Sequence, residues 1–79
     1  MSKLLFCGKI LGTYDDMEWL DENQYHFFDF VPSKELWEDS TPRTIHFDHS
    51  TGVIKFYDTQ FEEVQRTIQL SICVKENGL

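Results

Sequence analysis

Two short apolar pairs on either side of a polar break constrain this chain most. In TIHFDHSTGVIKFYD, residues 44–58, Ile45 and Phe47 alternate with polar neighbours, and Ile54 and Phe56 do the same beyond the break. A side-chain period of two marks a strand with one face in a core. Pairing Phe47 with Ile54 and Ile45 with Phe56 leaves His49, Ser50, Thr51 and Gly52 as a four-residue loop, in which Gly52 is free to take positive φ. Asp48 stands just before the reversal, where its side chain can bond to the turn backbone. The expectation is a β-hairpin, with His46 on the outer face across from Lys55 and His49 in the loop.

The rest of the chain reads in the same idiom. From Lys3 to Tyr14 the residues are β-compatible, with Gly8 and Gly12 on the parity of Leu4, Phe6 and Ile10, which predicts one bent strand. DDMEWLDEN is polar enough for a loop, with Asp15 or Asp16 able to cap a single helical turn carrying Met17 and Leu20. QYHFFDFV, residues 24–31, has apolar groups on both parities, as a central strand covered on both faces would, and Pro32 ends it. Ser33 can cap a short helix through SKELWEDS, with Lys34 facing Glu38 at i, i+4. Ile68, Leu70, Ile72 and Val74 alternate with polar or small residues, predicting a last strand over 67–75, preceded by one helical turn at 61–65.

The fold class expected is therefore mostly β, with α+β as the alternative: about five antiparallel strands in a sheet or small barrel, plus one or two short helices. At 79 residues there is room for a single domain, 1–79, and no second core. Apolar residues make up 41% of the chain and seven are Phe, enough to fill that core. Cys7 and Cys73 each lie in an apolar run and read as buried free thiols, although pairing of the terminal strands would also allow a disulfide.

The charge is unevenly placed. Nine acids fall between Asp15 and Asp39 against the single base Lys34, a local charge of −8, whereas the remaining residues carry five acids and six bases. Seven scattered Lys and Arg do not make the clustered patch that phosphate neutralisation demands, so direct nucleic-acid binding and membrane-surface binding are both disfavoured. The first apolar run, Leu4 to Cys7, is too short for a secretory core, and a cytoplasmic location is expected.

Chemistry is sparse. His46, Asp48 and His49 crowd together, but a divalent metal requires three converging ligands, and neighbours two apart on a strand stand about 6–7 Å from one another. Ser50, His49 and Asp48 resemble a nucleophilic trio only on paper, since adjacent turn residues point apart. No phosphate loop, CxxC or HExxH motif is present. No enzyme, cofactor or metal is expected.

Binding remains. The acidic third also holds both tryptophans, and aromatic anchors within a rim of charge are what a protein interface uses. The candidate partner-binding residues are Asp15, Asp16, Glu18, Trp19, Asp21, Glu22, Glu35, Trp37, Glu38 and Asp39. The alternative is that both indoles cap the edge of the core. In size and acidity the chain resembles the small phage-encoded proteins that mimic nucleic acid or disable host defence, anti-CRISPR proteins among them. That likeness is one of composition and transfers no residue. The −8 block set against a neutral remainder leads to the expectation of an inhibitor, a monomer or homodimer, that occupies a basic surface of another protein, such as one that ordinarily holds nucleic acid. The competing expectation is a structural subunit that self-associates through an exposed edge such as the last strand.

Overall fold

The computed structural model describes residues 1–71. They form one antiparallel sheet of seven strands and contain no helix. The strands are β1 (Ser2–Phe6), β2 (Lys9–Tyr14), β3 (Asp16–Trp19), β4 (Gln24–Pro32), β5 (Arg43–Asp48), β6 (Val53–Tyr57) and β7 (Val64–Gln69). Their order is β1-β2-β4-β5-β6-β7, with β3 beside β4. Because Gly12 pairs with Pro32 and Trp19 with Tyr25 in one unbroken register, β2 and β3 act as a single long strand kinked at Asp15. The chain is thus an antiparallel meander, the topology that short connections favour.

The β5–β6 hairpin has the expected register: Phe47 pairs with Ile54, Ile45 with Phe56 and His46 with Lys55. Gly52 takes φ 76°, and Asp48 Oδ1 accepts the N–H of Ser50 at 2.9 Å. Elsewhere the short polar stretches behave differently from their sequence reading. The first strand is not bent but folded back: Cys7 (φ 55°) and Gly8 (φ 78°) form a two-residue turn between the paired Phe6 and Lys9. Two successive positive φ angles match the right-handed twist of the flanking strands, which is why so tight a reversal closes there. Cys7 is exposed at this turn and is not a free thiol, contrary to the buried-thiol reading; Cys73 lies outside the described residues.

Neither expected helix forms. Residues 33–37 make one turn, with Ser33 O accepting the N–H groups of Leu36 and Trp37 at 3.0 Å each. Six or seven residues hold a helix only if packing repays its nucleation, and here packing instead draws Trp37 onto Phe56. Among the described residues the Lys34–Glu38 ion pair that a helix would create is absent. At residues 58–63 Asp58 caps a reversal by accepting the Glu62 N–H at 2.8 Å, so that β7 begins at Val64, earlier than expected. The part of the predicted last strand beyond Ser71 lies outside the described residues.

β4 is central, and its mixed parity has a local cause. Phe27 pairs with Ile45 but Phe30 pairs with Arg43, so β4 spends one residue more than β5 over that span. Asp29, at φ 54°, lies in this bulge and remains exposed. The extra residue switches the inward parity, so that Phe27 and Phe30 are both buried while Asp29 stays in water. The core they join comprises Leu4, Phe6, Leu11, Ile45, Phe47, Ile54 and Phe56. Phe6 of β1 meets Phe47 of β5 edge-on at 5.3 Å although the two strands are not neighbours, so the sheet curls over its own concave face. Gly12 lets β2 approach β4 there: a Cβ would overlap Val31 O and come within 2.6 Å of Phe30 Cζ. No ladder joins β1 to β7 among the described residues, so the curled sheet is not a closed barrel there.

Candidate protein-interaction surface

Apart from Asp29 in the β4 bulge, the acids of the acidic third fall in two separate places, one at each end of β4. The first is β3 with its turn into β4. DDMEW forms a strand rather than a helical turn because it is cross-strand from an aromatic run: Met17 faces Phe27 and Trp19 faces Tyr25, while Asp16 and Glu18 fall opposite Phe28 and His26 on the other side of the sheet. Asp21 then shapes the reversal, its Oδ1 accepting the N–H groups of Asn23 at 2.9 Å and Gln24 at 3.0 Å. The loop of the β5–β6 hairpin is tied to this turn through the His49 N–H, which donates to Asn23 O at 2.7 Å.

β3 pairs with β4 alone, so its other edge is open among the described residues. All four of its residues are exposed. Trp19 is 66% exposed and Met17 and Leu20 are 41% exposed, large apolar side chains in the same stretch of chain as Asp15, Asp16, Glu18, Asp21 and Glu22. Among the described residues none of these five carboxylates is within ion-pair distance of a Lys or Arg; Glu18 has only the His26 ring, at 3.4 Å.

The second place is the loop between β4 and β5, which holds Glu35, Trp37, Glu38 and Asp39. Its indole is half-buried edge-on against Phe56, with ring centroids 5.0 Å apart. The Arg43 guanidinium sits 4.2 Å and that of Arg66 5.1 Å from the Trp37 ring centroid. Buried Arg43 also donates to Asp39 Oδ2 at 2.8 Å, to Gln65 Oε1 at 2.7 Å and to Thr41 O at 3.3 Å. Arg43 and the Thr41 N–H together hold the Asp39 carboxyl well below the usual carboxylate range. Trp37 therefore works as a lid on the core edge, and Asp39 is answered from within the protein. Glu35 and Glu38 stay exposed at the rim of a shallow depression that Arg66 also lines.

Between the two lies a transverse row on the outer face: Glu18, His26, His46 and Lys55 are successive cross-strand partners. The imidazoles of His26 and His46 sit with centroids 5.1 Å apart, and Phe61 stands edge-on to His26 at 4.6 Å. Burial, then His26 and Lys55, depress the His46 pKa, outweighing the opposing pull of Asp48 and Asp21. No group of three or more metal-ligating side chains converges among the described residues. In the hairpin loop the Ser50 hydroxyl donates to Asp48 Oδ1 at 2.7 Å rather than to His49, whose ring lies edge-on to Phe6 and Phe47.

Of the ten residues singled out from sequence, Asp15, Asp16, Glu18, Trp19, Asp21 and Glu22 are brought together and Glu35, Trp37, Glu38 and Asp39 form the second group. What the sequence reading missed was the open backbone edge of β3, whose only signal was the alternation of Met17 and Trp19 with acids. No protein-family model, curated protein or solved structure matches the chain. Among the described residues no helix is long and apolar enough to cross a membrane.

Proposed function

We propose that the protein is a small non-enzymatic binding protein that occupies a basic surface of a partner protein, of the kind that ordinarily holds nucleic acid, and so inhibits it. The observation that carries this reading is the β3 region, where five carboxylates lie without a Lys or Arg counter-ion among the described residues, Asp16 and Glu18 on the face opposite to an indole that is 66% exposed. Like charges left unanswered in one place cost stability, a cost that a basic counterpart would offset. Asp16 and Glu18 repeat along one side of the strand at a spacing of about 6–7 Å, a line of negative charge that a groove lined by Lys and Arg accepts. Trp19 supplies the buried contact on which affinity in such interfaces depends.

The test is capture from a bacterial lysate on immobilised protein at low and at high salt, since exposed ion pairs beyond a Debye length are screened as salt rises. A nucleic-acid-binding protein should be retained at low salt and released at high salt. Its retention should fall with the combined changes Asp15→Asn, Asp16→Asn, Asp21→Asn and Glu22→Gln, which keep an oxygen acceptor at each position. Retention that ignores both salt and these changes would overturn the proposal.

A further inference from the structure

We infer that the open edge of β3 is a strand-addition site, which takes an extended segment of the partner in which basic and apolar residues alternate. This deepens the reading above and rests on it. Three strand edges are unpaired among the described residues: those of β1, β3 and β7. β1 carries Lys3 and β7 carries Arg66, with no acid on either, whereas β3 carries Asp16 and Glu18.

The backbone of β3 is set for pairing. Leu20 donates its N–H to Gln24 O at 2.8 Å, which makes Leu20 and Gln24 a hydrogen-bonded pair. In an antiparallel ladder such pairs alternate, so Glu18 and Asp16 also turn their backbone groups toward β4, and Met17 and Trp19 turn theirs to the open edge. Asp16 Oδ1 caps the outward N–H of Met17 at 2.8 Å, a contact that a partner carbonyl can replace, freeing the carboxylate for a cation.

An added strand would meet two different faces. Its residues opposite Met17 and Trp19 would lie on the side of Phe27 and Tyr25, where 41% and 66% exposed side chains offer apolar surface. Its residues opposite Asp16 and Glu18 would lie on the outer side, with Cβ atoms about 4.5–5.5 Å from those of the acids. Lys or Arg fits there and apolar residues fit at the alternate positions. A second copy of β3 would instead place Asp16 and Glu18 against themselves, and like charges directly opposite are destabilising. Strand addition draws affinity from main-chain bonds and selectivity from alternate side chains, which is the division this edge offers.

The probe is a short peptide alternating lysine and valine, compared with the same peptide N-methylated at its valines and with a lysine-to-glutamate copy. Binding is followed by titration, and hydrogen exchange is read at the Trp19 amide. The unmodified peptide should bind, protect that amide and lose about tenfold or more in affinity on N-methylation, which removes two main-chain bonds. Met17→Pro in the protein should weaken binding similarly; because that variant could unfold, the N-methylated peptide serves as the independent arm. If both lysine peptides bind equally in a salt-sensitive way, or Trp19 stays unprotected, strand addition is overturned while the basic-partner reading stands. If the glutamate copy binds as well as the lysine peptide, or no peptide binds, the charge argument falls and this inference with it. A dimer through β3 in sedimentation would overturn it too.

Discussion

The two ends of β4 carry the same ingredients, an indole with three or more acids, and the protein uses them in opposite ways. In the loop after β4, the guanidinium groups of Arg43 and Arg66 both lie over the Trp37 ring, which packs against Phe56, and Asp39 accepts from Arg43. At β3, Trp19 stands in water and five carboxylates lack a Lys or Arg partner among the described residues. The difference arises from residues that are remote in sequence. Arg43 begins β5 and Arg66 lies in β7, and the meander swings both toward the loop and neither toward β3. Counting charge along a segment therefore overstates what is available to a partner, because pairing is decided by which strands end up adjacent.

The strongest way to break this comparison is to remove the arginine. Arg43→Ala deletes the packing on Trp37 and three side-chain hydrogen bonds from a buried site, and should cost about 2–4 kcal/mol of stability in urea unfolding. A loss under 1 kcal/mol would mean that the loop is not held as described. Next come the indoles. Trp37→Ala should destabilise by about 2–3 kcal/mol, whereas Trp19→Ala should change stability by no more than about 0.5 kcal/mol and lower partner retention instead. Equal stability costs for the two changes would erase the distinction.

Acid response sharpens it further. A carboxyl whose folded pKa is depressed contributes stability that is present above its unfolded value, near 3.9, and is lost as pH falls toward the folded value. Asp39 is such a group through Arg43, and Asp48 is another through the Ser50 hydroxyl and the backbone N–H groups of Ser50 and Thr51. Asp39→Asn should therefore flatten the loss of stability below about pH 4. Smallest is the histidine effect. The His46 pKa is lowered on folding, so the unfolded chain takes up the proton first and stability declines as pH falls below about 6.5. His46→Gln should remove part of that decline in denaturation curves collected between pH 7 and pH 5, chosen to bracket the ordinary histidine value.

Much of the β architecture was legible because one device, alternation about a glycine-containing turn, wrote its register directly into residues 44–58. The β4 strand was legible as central, but its mixed parity pointed to two covered faces when the cause was a bulge at Asp29, a residue at positive φ that no local pattern announces. The Cys7–Gly8 reversal was missed for a related reason, since cysteine is not a residue one expects in a turn of that geometry. The helix after Ser33 was misread because a capping residue marks a reversal as readily as a helix start, and Ser33 caps a turn that goes no further; at 61–65 the spacing of Thr59 and Glu62 suggested a capped helix, whereas the Glu62 N–H donates to Asp58 in a reversal. At the candidate surface the acids and Trp19 were named from composition. Arg43 was not, because nothing near it in sequence shows that it would lie over Trp37.

The central claim is that the carboxylates of β3, and not those of the loop, meet the partner. Its most direct test removes equal charge from each region, Asp16→Asn with Glu18→Gln against Glu35→Gln with Glu38→Gln, and measures the affinity of the partner captured at low salt. The account predicts about tenfold or greater weakening for the β3 pair, as two lost charge contacts imply, and little change for the loop pair. Equal weakening by both, or weakening by the loop pair alone, would contradict it.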